Sequence, residues 1–231
     1  MARAIKLLGR HRCAKWQKMT KIPLVSKRNA RVFRAPARRI IDAGERLIGE
    51  LGVKNTSLLQ VASAAGLTGK SAVQYHFGSR EGLIRAILEC RLPEVNEIRK
   101  RYLERATSED WGDLSFVMYI LFSPVMDHTN GRGQHRFAKF ATRINLEAWD
   151  SIVEVTGREP HARLRALLTH LNDWEFSLRF SMIIAMWNAA VWQLDEQGAD
   201  KKTAILGSFL AMAERALVAP SIAMEPPHSR E

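Results

Sequence analysis

Residues 56–83 read TSLLQVASAAGLTGKSAVQYHFGSREGL, and their punctuation divides the stretch into helices. Ser57 followed three residues later by Gln60 has the form of a capping box, in which each side chain satisfies a backbone N–H of the other. Behind it Leu58, Val61, Ala62 and Ala65 recur at helical spacing, and Gly66 supplies the stop. A short helix is expected from about Lys70 to Phe77, with either Thr68 or Ser71 as its cap. Gly78-Ser79 breaks it before a further helix, capped by Ser79, that runs from Arg80 through Cys90. Upstream, Ile40, Gly44, Leu47 and Leu51, with Ile41 and Ile48 beside them, make an apolar stripe opposite Asp42, Glu45, Arg46 and Glu50, and Gly52 ends that helix. Residues 37–90 therefore read as a compact four-helix domain.

Two short helices joined by a tight turn, with small residues Ala62, Ala64, Ala65 and Gly66 where they cross, have the form of a helix-turn-helix. In that motif the first helix braces across the DNA backbone while the second enters the major groove N-terminus first. The polar residues at that end are Thr68, Lys70, Ser71 and Gln74, the expected base contacts. Gln pairs bidentately with adenine, Lys reaches guanine O6 and N7, and a hydroxyl pairs with either. Thr56, Tyr75, His76 and Arg80 are the expected phosphate contacts, which fix register without carrying sequence information.

The ordered set of motifs resembles the DNA-binding domain of the TetR family of bacterial regulators. The matching pieces are Ile41, Ala43 and Gly44 leading to Leu51-Gly52, then Thr56-Ser57 opening Val61-Ala62 and Ala64-Ala65-Gly66, then Ser71 through Leu83 with its Tyr75-His76-Phe77 and Ser79-Arg80-Glu81. Gly66 to Phe77 is one residue longer than the commonest version of the family. The resemblance covers about a fifth of the chain, and it implies a regulator with a helical effector and dimerisation domain following the reader.

Charge distribution agrees with an anionic partner. The chain of 231 residues carries 35 Lys and Arg against 24 Asp and Glu, a net +11. Residues 1–39 hold 13 of those bases and no acid, so the excess lies in an N-terminal arm. Basic arms of this kind track phosphates or enter minor grooves, and Arg28, Arg31 and Arg34 are the expected contacts. The competing readings are a disordered solubilising tail in residues 1–36 and a translation start at Met19. Cys13 and Cys90 are too few for a disulfide framework, which fits a reducing cytoplasm, and no run is apolar and long enough to span a bilayer.

Ala64, Gly69, Lys70 and Ser71 have the spacing of a relaxed phosphate-binding loop, but the strict motif wants Gly at Ala64 and a preceding strand. The seven His residues show no ligand spacing. No catalytic residue, metal site or cofactor is expected.

Beyond residue 90 the helices lengthen into an expected all-α domain over 91–219, followed by a disordered tail over 220–231. Pro93 reads as a restart, Asp113–Met126 and His135–Val155 as helices flanking a loop, Gly157 and Pro160 as a break, and Asp173–Glu196 and Lys201–Ala219 as the closing pair. Phe116, Tyr119, Phe122, Phe140, Trp149, Trp174 and Trp187 are the candidate lining of a site for a small apolar effector, although such spacings are first of all what a helical core requires. Tyr119, His135, Asn145, Asn172 and Asn188 are candidate polar anchors. Phe180, Ile184, Val191, Leu206, Leu210 and Leu217 are the candidate homodimer surface, which would place two recognition helices on a palindromic site. The fold class is all-α, with a DNA-reading domain ahead of a larger helical domain. The alternative function is a sequence-tolerant DNA-binding protein whose large domain only dimerises.

Overall fold

The computed structural model describes residues 33–145 and 157–220. Among these residues the secondary structure is entirely helical: α1 (Ala35–Leu51), α2 (Leu58–Ala64), α3 (Ser71–Phe77), α4 (Arg80–Leu103), α5 (Leu114–Asp127), α6 (Arg136–Asn145), α7 (Arg158–Leu167), α8 (Asp173–Gln197) and α9 (Lys202–Val218). The remainder of the arm with Arg28 and Arg31, the segment containing Trp149, and the tail beyond Pro220 lie outside the described residues.

Helices α1 to α3 pack around Ile40, Ile41, Ile48, Val61, Ala62 and Val73, all buried, against the first turns of α4 where Leu83 and Ile87 are buried. The approach is close: a Cβ on Gly44 would meet the Leu83 side chain at 2.9 Å. A charged clasp completes the contact. Arg91 donates to both Glu45 carboxylate oxygens (Nε to Oε1 3.2 Å, Nη2 to Oε2 2.6 Å) and to Asp42 (2.6 Å). Burial works against the Arg91 charge, but the Glu45 and Asp42 carboxylates outweigh it and raise its pKa.

Pro93 does not restart a helix. It lies inside α4, which runs unbroken for 24 residues. One backbone hydrogen bond is forgone at a proline, and the burial of Cys90, Arg91, Val95 and Arg99 on either side holds the helix through it. The boundary expected at residue 90 thus falls within a single helix. The break expected at Gly157 and Pro160 is likewise the start of α7. Gly157 is its N-cap and Pro160 sits in its first turn, where the missing N–H has no helical partner to lose.

Helix α5 is the axis of the larger domain. Phe116 through Met126 are all buried, as expected of a helix apolar all round, and α4, α6, α7 and α9 pack about it. Phe122 touches Phe180 and Trp187 of α8 and Phe209 of α9, with ring centroids 6.2, 5.2 and 5.0 Å apart. At its end Asp127 accepts a hydrogen bond from Tyr102 and pairs with Lys202, tying α4, α5 and α9 together. No described helix is long and apolar enough to cross a membrane.

Candidate nucleic-acid interface

The reading elements are set by local chemistry. The capping box at α2 forms as the sequence implies, with Gln60 Oε1 accepting from Ser57 N (2.8 Å) and Ser57 Oγ from Gln60 N (3.2 Å). Leu67 N then closes on Ala62 O at 2.9 Å while Gly66 turns the chain at φ +71°. Gly69 makes a second turn at φ +80°, a backbone conformation that an L side chain would strain. Helix α3 begins at Ser71 with Lys70 at the cap position and no side-chain cap, so neither Thr68 nor Ser71 performs the role read from the sequence.

What holds α3 is its surroundings. Val73 is its one buried residue, Ala72 and Phe77 are half-buried, and Phe33 lies against Phe77 with ring centroids 6.3 Å apart. At the far end Ser79 caps α4 by accepting from Gly82 N (3.1 Å). Gly82 itself sits so near α3 that a Cβ would lie 1.9 Å from the Phe77 carbonyl oxygen, which leaves no room for any other residue.

On the opposite side Thr68, Lys70, Ser71, Gln74, Tyr75 and His76 are all exposed. Tyr75 is 86% exposed, more than a large aromatic ring needs for packing, and it meets His76 edge-on at 5.2 Å. Arg80 is half-buried, with its Nε buried and unpartnered among the described residues. Arg34 is exposed at the N-cap of α1. A bracing helix seated on Val61 and Ala62, a glycine turn and a short helix with a polar outer face make up a helix-turn-helix. Residues 40–87 match the family model for bacterial regulatory proteins of the tetR family.

This is a TetR-family DNA-binding domain. The chain thus carries, over about a fifth of its length, the DNA-binding domain of that family of transcriptional regulators. No curated protein matches the chain. Within the TetR-like domain Leu58–Val61 belong to α2, so the Ala64-Gly69-Lys70-Ser71 spacing has helix where a phosphate-binding loop would have strand.

Thr56 departs from the role read for it. It is 2% exposed, and its hydroxyl lies 2.8 Å from Gly52 O and 3.3 Å from Leu47 O. It fastens the α1–α2 turn and presents nothing to a phosphate. The polar neighbours Thr-Ser gave no signal of which one faces inward.

In the large domain Phe116, Tyr119, Phe122, Phe140 and Trp187 are buried together in the core, but Trp174 is 71% exposed at the start of α8 and lines nothing. Asn172 is the N-cap of α8, in a capping box with Glu175, and Asn188 accepts from the Thr142 hydroxyl at 2.9 Å. The candidate dimer residues are also displaced. Phe180, Ile184, Val191, Leu206 and Leu217 are buried within the chain's own core and Leu210 is half-buried. The apolar surface of α8 lies on the other face, at Trp174, Leu178, Met182, Ala185 and Ala189, continued on α9 by Ala211, Met212 and Val218. Apolar residues surround α8, so periodicity gave no means of telling its core side from its outer side.

Proposed function

We propose that this regulator is a sequence-specific repressor that binds a palindromic operator as a homodimer and is released by a small apolar effector. The observation that carries sequence specificity is the exposed set Thr68, Lys70, Ser71 and Gln74 at the entry end of a helix held from behind. Groups able to form hydrogen bonds with base edges are offered there at no cost in core packing. Tyr75, His76 and Arg80 flank them as phosphate contacts. Phe33, seated on Phe77, brings the chain out beside α3. That exit supports a DNA role for Arg34 and for the basic residues before it, Arg28 and Arg31 among them.

The exposed positions 174, 178, 182, 185 and 189 fall on one α8 face, and with Met212 and Val218 of α9 they form an apolar surface of the kind that covers itself in a twofold dimer. The effector reading draws support from two polar atoms in the apolar core. Among the described residues Ser123 Oγ and Trp187 Nε1 are buried without a hydrogen-bond partner, and an unmet donor of this kind costs free energy that a ligand acceptor would restore. Cytoplasmic placement follows from a chromosomal target.

Selection of bound duplexes from random DNA with the purified chain tests the reading. A palindromic consensus is the expected result. Recovery of unrelated sequences with affinity set by salt alone would favour the sequence-tolerant alternative.

A further inference from the structure

Helix α1 is held from two sides. On one side stands the Arg91 clasp of α4, and on the other lies α6, along which α1 packs more extensively than along α4. The α1–α6 approach is backbone to backbone. A Cβ on Gly49 would lie 3.2 Å from Phe140 N and 3.3 Å from Lys139 Cβ, and Arg143 Nε donates to Gly49 O at 3.3 Å.

The opposite face of α6 is bonded along α8 at three successive turns. His135 Nδ1 lies 2.7 Å from Asp195 Oδ1, Lys139 Nζ lies 2.7 Å from Asp195 Oδ2, and the Thr142 hydroxyl donates to Asn188. The Lys139 ammonium also sits 3.8 Å above the Trp192 ring, and its side chain is only 15% exposed. Burial would raise the Asp195 carboxyl, but Lys139 and His135 outweigh it and hold it below the usual carboxylate range. Lys139 is thus the residue whose stem rests on the DNA-reading domain while its charge is fastened to α8.

We propose that Lys139, through Asp195, is a positioning residue for DNA binding: it fixes the angle of the reading domain on α8 and so the spacing of the two recognition helices in the dimer. The proposal rests on the dimer reading above, because only a twofold mate converts an angle within one chain into a distance between two helices. Contacts of one recognition helix with one half-site do not pass through Lys139 at all. Its loss is therefore felt only where both half-sites must be met together.

Lys139→Met keeps the stem and removes the charge. Asp195→Asn removes the partner, and Lys139→Arg keeps the pair. Each full-length variant is measured by light scattering, then titrated on a duplex with the selected palindrome and on one with a single half-site, and put through selection with randomised half-site spacing. Lys139→Met and Asp195→Asn are expected to weaken palindrome binding roughly threefold to thirtyfold, the range of mutations that disturb coupling between sites. Single half-site affinity and dimer mass stay unchanged, the selected spacing broadens, and the double variant is no worse than either single one. Lys139→Arg restores the palindrome affinity. Equal losses on both duplexes, or no loss with unchanged spacing, would overturn the proposal. A wild-type monomer would remove the dimer reading itself, and that appears in the mass before any DNA is added.

Discussion

Helices α3 and α5 use the same alphabet for opposite ends. Of the seven residues of α3 only Val73 is buried, and six of the chain's exposed polar or aromatic groups lie on it or just before it. Of the fourteen residues of α5, Phe116 through Met126 are buried without interruption. A seven-residue helix is marginal by itself, so α3 owes its shape to the elements that hold it, Val73 below and the Gly82 contact behind. The outer face is thereby relieved of any part in stability. In α5 the positions that make the fold are the ones that cannot vary.

The sharpest way to break this contrast is to exchange one residue from each. Phe122→Ala empties the point where α5 meets α8 and α9, and is expected to cost about 3 to 5 kcal/mol in urea unfolding. Gln74→Ala should leave the unfolding midpoint within about 0.5 kcal/mol of wild type. On the selected operator it should cost on the order of 1 to 3 kcal/mol, and on random duplex almost nothing. A stability loss in Gln74→Ala comparable with Phe122→Ala, or equal losses on both DNAs, would show that α3 is not free in the sense argued.

Thr56→Val probes the border between the two kinds of position. It removes the hydroxyl that binds the Gly52 and Leu47 carbonyls, so a loss of about 1 kcal/mol in stability is expected. The slope of DNA affinity against salt should not change. A flatter slope would return Thr56 to the phosphate contacts.

The smallest effect is one of pH. The unfolded Asp195 carboxyl titrates at its ordinary value and the folded one lower, burial being outweighed by Lys139 and His135. Its contribution is present above the unfolded pKa and is lost as pH falls through the folded one. The difference in urea midpoint between wild type and Asp195→Asn should hold constant down to about pH 5 and shrink below about pH 4. A difference that grows on acidification would mean the opposite sign of shift.

The two regions were also unequally legible. The Ser57–Gln60 box and the Ser79 cap are agreements between residues three apart, so the chain states them locally and the structure repeats them. Thr68, Lys70, Ser71 and Gln74 are legible as a polar set around the apolar Ala72 and Val73, and they are exposed. The dimer candidates failed as a surface because Phe180, Ile184 and Val191 are core only by virtue of α5 and α9 lying on that side, which no window of α8 contains. Trp174 has the aromatic character and spacing of a core or site residue, yet it is exposed. Pro93 and Pro160 were read as interruptions, and each proved to lie within a helix, since proline is compatible with a first turn and, at the loss of one bond, with an interior.

The unbroken course of α4 carries a consequence of scale. At about 1.5 Å per residue its 24 residues form a rod roughly 36 Å long. A tilt of about five degrees at the Leu103 end sweeps the Arg80 end through roughly 3 Å, by the lever arm that this length provides. That is close to the rise of about 3.4 Å between successive base pairs. A slight rearrangement around Tyr102 is therefore amplified at the Arg80 end into a displacement of about one rung of the DNA ladder.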